Sequence, residues 1–129
     1  MIVVTGDGSR NPGARYSPES NQWTEIAKSG APLITQTAAS IEAITSVWTG
    51  KEVLVWGNTS PAAGVRYNPA MDTWTNMTTV GSPKPRIGHS AIWTGDSMVV
   101  VGGLENANTP TDTTLIYGLT KPVFLYSKR

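Results

Sequence analysis

Cysteine is absent from the 129 residues, which removes disulfides, thiolate metal sites and a cysteine nucleophile, and leaves the redox compartment open. Histidine occurs once, as His89, so no cluster of imidazoles can hold a catalytic zinc or copper ion. Charge is sparse: ten basic and nine acidic residues, 15% of the chain, give a formal net charge of +1 with no run of one sign. That balance lacks the footprint of a nucleic-acid or membrane-surface binder. No apolar run approaches the roughly 20 residues of a membrane helix. Met1 leads straight into Ile2-Val3-Val4, a strand-like start that reads as neither signal nor transit peptide.

What the chain does hold is a repeat. Ile2-Val3-Val4-Thr5-Gly6 matches Val53-Leu54-Val55-Trp56-Gly57 at an offset of 51, and that run matches Met98-Val99-Val100-Val101-Gly102 at 45. Gly13-Ala14-Arg15-Tyr16-Ser17-Pro18 matches Gly64-Val65-Arg66-Tyr67-Asn68-Pro69, and Trp23-Thr24 matches Trp74-Thr75, both at 51. Val47-Trp48-Thr49-Gly50 matches Ile92-Trp93-Thr94-Gly95 at 45. Self-similarity at such a period is the signature of a repeat architecture.

Each unit reads as four short strands. Ala43 to Trp48 and Gly88 to Trp93 are first strands, closed by a Thr-Gly turn. The apolar run follows without alternation, which fits a strand buried on both faces. Its terminal glycine (Gly6, Gly57, Gly102) allows close backbone approach or positive φ. An Arg-Tyr strand comes third and ends at Ser17-Pro18 or Asn68-Pro69, because proline cannot donate to a central ladder. A Trp-Thr strand is fourth. No segment carries a helical period over about ten residues, so the fold is all-β.

Four antiparallel strands per unit of 45 to 51 residues resemble a propeller blade, and the residues are similar to the kelch repeat. The segment Pro85 to Ser90 with His89, the run ending at Gly102-Gly103, and Tyr67-Asn68-Pro69 with Trp74 carry the resemblance. It implies a partial β-propeller over residues 1–129, with blades near 1–27, 41–78 and 86–129. It also implies that Tyr16, Tyr67, Trp23, Trp74, Trp48, Trp93, His89 and the glycines are architectural.

The chain departs from the pattern in several places. The double glycine is complete only at Gly102-Gly103, with Gly6-Asp7 and Gly57-Asn58 elsewhere. Tyr117 and Phe124 fall 50 after Tyr67 and Trp74, which makes Val123 to Tyr126 a degenerate fourth strand. About six residues are inserted around Leu33 to Ser40, judged from 25 positions between Trp23 and Trp48 against 19 between Trp74 and Trp93. Met1 aligns with Glu52, so the first unit lacks its first strand and no spare strand follows Phe124. Propellers close with about four to eight blades. The expectation is therefore self-association, two chains giving about six blades, or else a fragment of a longer propeller without independent activity.

Candidate ligand contacts are few. Trp56 stands where the other units have Thr5 and Val101, and so is the indole least tied to the repeat. Arg66, Arg86, Arg15 and Glu105 are candidates for polar groups converging on a central channel, although Arg15 and Arg66 recur as structural residues would. The cysteine–tyrosine copper centre of galactose oxidase, a kelch-bearing enzyme, is excluded by composition. Ser90 and His89 are neighbours on one strand and point to opposite faces, so they form no catalytic pair. Asp7-Gly8-Ser9 with Asn11 lacks the spaced acidic ligands of a calcium loop. The reading is a non-catalytic module without cofactor, taking a protein or glycan ligand at the loops Asp7 to Gly13, Asn58 to Gly64 and Leu104 to Asp112. A carbohydrate-binding or carbohydrate-active propeller is the alternative.

Overall fold

The computed structural model describes residues 1–7, 11–34, 44–57, 59–60, 64–105, 108–120 and 124–127. Parts of the three expected loops (8–10, 58 with 61–63, and 106–107) and of the insertion (35–40) lie outside the described residues. The chain is all-β and antiparallel. In order its strands are β1 (Ile2–Asp7), β2 (Asn11–Ser17), β3 (Gln22–Glu25), β4 (Leu33–Ile34), β5 (Ile44–Trp48), β6 (Val53–Gly57), β7 (Thr59–Ser60), β8 (Val65–Asn68), β9 (Thr73–Asn76), β10 (Arg86–Ile87), β11 (Ser90–Trp93), β12 (Ser97–Val101), β13 (Leu104–Glu105), β14 (Thr109–Pro110), β15 (Thr114–Gly118) and β16 (Phe124–Ser127).

Two four-stranded meanders, β5-β6-β8-β9 and β11-β12-β15-β16, match the second and third repeat units, and β1-β2-β3 matches the first. The degenerate strand at the end of the third unit is real: Phe124 pairs with Tyr117 as Trp74 pairs with Tyr67. Shorter pieces join the units. β4 pairs with β7, and with β1 at Asp7↔Leu33, so the start of the insertion bridges the first and second units. β10, β13 and β14 form a small sheet of their own. The first strand expected from Gly88 therefore begins later, at Ser90, because Gly88 turns at φ 63° and hands Arg86–Ile87 to β13.

The core lies between the meanders. Residues opposite one another in an antiparallel ladder share a face. Val53, Val55, Val65, Tyr67 and Trp74 of the second unit face the first, where Ile2, Val4, Ile26 and Ala31 meet them. Val47, Leu54 and Trp56 face the third unit and pack with Met98, Val100, Leu115 and Tyr117. All five residues of β6 are buried, which explains its unbroken apolar sequence. In β12 only Met98 and Val100 are buried, because nothing described covers the other side.

The first unit departs from its siblings by one residue of ladder register. Ile2 pairs with Arg15, whereas Val53 and Met98, at the matching position, pair with Tyr67 and Tyr117. The slip is confined to Ile2–Val4, since an irregularity between Val4 and Asp7 restores the sibling register at Asp7↔Asn11, and a one-residue shift turns the side chains it covers to the other face. Here it directs Ile2 and Val4 onto the second unit's cluster and Val3 outward.

Close approach requires glycine at Gly13, where a Cβ would fall on the Val3 carbonyl oxygen, and at Gly64 and Gly103. A Cβ at Gly64 would lie 2.5 Å from the Val55 carbonyl oxygen, with φ at 83°. At Gly103, φ 95°, it would lie 2.9 Å from the Ile87 oxygen and 3.0 Å from His89 Cβ. The second glycine of the doubled pair thus lets the Ile87–His89 backbone pass.

Leu54 and Val99 occupy the same repeat position, one covered and one not. Chemical denaturation should show Leu54→Ala costing about 2–5 kcal/mol and Val99→Ala about 1 kcal/mol or less.

Candidate functional site

The two junctions between units are built from matched residues. At the first, Arg15 Nη1 donates to the Pro69 carbonyl at 3.0 Å. The Ala27 amide donates to Asp72 Oδ1 at 3.0 Å, and Trp74 Nε1 donates to the Ala27 carbonyl at 2.7 Å. Ile26 leads into this segment, its amide held by the Gly13 carbonyl at 3.2 Å and its side chain buried in the second unit's cluster. At the second junction Met77, 51 residues later, repeats this: its amide bonds to the Gly64 carbonyl at 3.0 Å and its side chain is buried in the third unit's cluster. Arg66, the counterpart of Arg15, lies beside Tyr117, whose phenol burial pushes up and the guanidinium draws back down.

The tyrosine–tryptophan pairs are repeated as closely. Tyr67 and Trp74 lie with ring centroids 4.8 Å apart and tilted at 41°, Tyr16 and Trp23 at 5.2 Å and 45°. Tyr67 Oη donates to Asp72 Oδ1 at 2.6 Å, and Tyr16 Oη to Asn21 Oδ1 at 2.9 Å. Asp72 and Asn21 both sit at positive φ, 51° and 52°, a conformation these two residue types tolerate best after glycine. Burial, then the Asp72 carboxylate, pushes the Tyr67 phenol up. The Tyr67 hydroxyl, then the Ala27 amide, holds the Asp72 carboxyl below the usual range.

The outer surfaces differ from these junctions in one respect. Trp74 is 8% exposed under the Ile26–Ala31 segment, whereas Trp23, in the matching strand and against the matching tyrosine, is 53% exposed. At the far end of the chain Ile92 and Val101 are 61% and 48% exposed. They occupy the positions that in the second unit belong to Val47 and Trp56. Both terminal units thus present apolar faces, one of each hand.

The residues singled out in the sequence lie elsewhere. Trp56 is fully buried and meets His89 edge-on at 4.9 Å, so its indole offers no face to a ligand. His89 Nε2 lies 2.8 Å from Thr45 Oγ1, across the junction between the second and third units. Desolvation holds its imidazole below the ordinary histidine range. Arg66 is paired with Glu52 through Nε at 2.9 Å and Nη2 at 2.6 Å. Arg86, 1% exposed, bonds to the Gly102 and Thr113 carbonyls, Thr113 Oγ1 and Glu105 Oε1, tying β10 to β13 and the loop beyond it. These four candidates do not converge on one cavity. Among the described residues no three of His, Asp and Glu come together as metal ligands, and no helix is long and apolar enough to cross a membrane. Exposed Trp23 was hidden in the sequence by its match to buried Trp74. No protein-family model matches the chain, and no curated protein matches it.

Asp72→Ala should cost about 1–3 kcal/mol in urea unfolding, by stranding the Tyr67 hydroxyl and Ala27 amide. Asp72→Asn should cost far less, since Asn21 already holds that geometry. Because the folded Asp72 carboxyl is depressed, its contribution is present above the unfolded value of about 3.9 and is lost as pH falls through the folded one. Unfolding curves of the Asn variant should lack that increment of acid dependence.

Proposed function

We propose that the chain is a stretch of kelch-type β-propeller, about two and three-quarter blades with the first lacking its first strand. On this reading it is a non-catalytic binding or scaffolding module that completes its ring by association with a second copy. The observation that carries the reading is the repeated junction. Each unit sends an apolar residue and an arginine, Ile26 with Arg15 and then Met77 with Arg66, onto the tyrosine side of the next. Units that meet their neighbours in the same way lie in a regular array, which either closes or continues. The Tyr16–Trp23 face is then a face awaiting a neighbour, and the Ile92–Val101 face is the kind of surface that supplies one. The loops on the rim remain the surfaces proposed for a protein ligand.

A carbohydrate-binding role is supported less. Trp56, Arg66, Arg86 and Glu105 are engaged by the protein's own side chains. Stacking on a sugar falls instead to the exposed indoles Trp23 and Trp48.

Light scattering behind size exclusion, over a roughly hundredfold range of concentration, tests the assembly by mass action. The expected mass is twice 13.7 kDa, with Trp23→Lys and Ile92→Lys each shifting the population to monomer. A folded monomer at every concentration contradicts closure by a second copy.

A further inference from the structure

The chain's single histidine lies at the second junction, in surroundings that suit only one of its two charge states. His89 stands just before β11 and is 6% exposed. From β5, Thr45 Oγ1 lies 2.8 Å from its Nε2. From β6, Trp56 meets the ring edge-on with centroids 4.9 Å apart. On the side of β13 the backbone closes in at Gly103, where a Cβ would lie 3.0 Å from His89 Cβ. The imidazole is thus a side chain of the third unit held by two strands of the second.

The other ring nitrogen decides what this setting can hold. A neutral imidazole has one N–H and one acceptor, so the Thr45 hydroxyl can satisfy Nε2 in either tautomer, whereas an imidazolium has two donors. Nδ1 is buried without a hydrogen-bond partner. In the charged ring it would be a buried donor with nothing to accept it, at a cost in free energy. The surrounding charges add to that cost. Arg86, itself 1% exposed, opposes a second positive charge, and the Glu105 carboxylate on β13 is bound to Arg86 at 3.2 Å. β5, β6 and β11 contain no acidic residue. Burial is the largest influence on the ring and holds it neutral; the Trp56 and Arg86 backbones favour the charged form without reversing this.

The first junction has no counterpart. The residue 45 positions before His89 is Ile44, which packs on the apolar cluster shared by the first and second units. The ionisable contacts there titrate elsewhere, Asp72 below the usual carboxylate range and Tyr67 above the usual phenol range.

We propose that His89 makes the second junction an acid-sensitive latch: protonation of its imidazole loosens the third unit from the second and leaves the first junction closed. Docking requires the neutral ring. The contribution of His89 is therefore fully present above the unfolded histidine value of about 6.5 and is lost as pH falls from there through the lower folded value. Each unit of depression is a tenfold change in the docking equilibrium. This range lies above the one in which carboxylates of ordinary pKa, about 4, take up protons, so the latch responds to mild acid.

Because the histidine is single, its ring gives one isolated NMR signal in the intact carbon-13-labelled chain, followed from about pH 7.5 to about 4.5. The expected midpoint lies below about 6.5. Over the same range, amide protection factors in β11, β12 and β15 should fall roughly tenfold or more while those in β2 hold. His89→Gln keeps an amide for Thr45 but takes up no proton, and its third unit should show no such fall. A midpoint at the ordinary value, an equal loss of protection in β2, or a Gln variant with the wild-type acid response overturns the proposal. Should the variant fail to fold, the wild-type ring signal and its two sets of amides still decide the matter.

Discussion

A strand that is apolar on both faces has no stable place at a boundary with water. Val53 to Trp56 form such a strand, and their burial requires one sheet on each side. With about 25 cal/mol gained per Å² of apolar surface removed from water, this requirement outweighs anything the sparse charges contribute. Surface pairs such as Lys28–Glu25 are worth little beside it. The order of the chain follows from it: a sheet whose main strands are β1, β2 and β3, then a meander buried on both sides, then one that among the described residues is buried on one side.

Directional bonds decide how the sheets meet. Burial alone would let two sheets slide, but Ala27 donates to Asp72 and accepts from Trp74, which fixes both the height and the angle of the connecting segment. Asp72 in turn accepts from Tyr67, so one carboxylate at a left-handed turn joins a strand pair to the segment crossing it. The junction between the second and third units is fixed by the Thr45–His89 contact and by Met77, held at the Gly64 carbonyl and buried in the third unit's cluster. Arg15, Arg66 and Arg86 and the histidine are tied into these junctions and sheets by such bonds, with Arg86 Nε and His89 Nδ1 left buried without a partner, so among the described residues they serve packing.

Much of this was legible in the sequence because the fold repeats. Matching glycines, tyrosines and tryptophans at near-constant offsets located the central strands, and the spacing of Phe124 located the degenerate fourth strand of the third unit. The slip of β1 against β2 was not legible, since Gly6 to Gly13 and Gly57 to Gly64 span the same distance. The irregularity between Val4 and Asp7 turns Ile2 and Val4 toward the second unit's cluster. Two-residue strands such as β4, β7 and β13 are too short to carry a period. Trp56 was misleading for a related reason. Where Val101 at the same repeat position is half exposed, Trp56 faces the third unit and His89.

The account makes the middle unit the most protected part of the molecule, because among the described residues it is the unit covered on both faces. Native-state amide exchange followed residue by residue tests this directly. The amides of β6 and β8 should exchange slowest, those of β12 and β15 faster, and those of β3 fastest. Equal protection across the three units, or faster exchange in β6 than in β3, would contradict the claim that contact between faces of the meanders holds the fold.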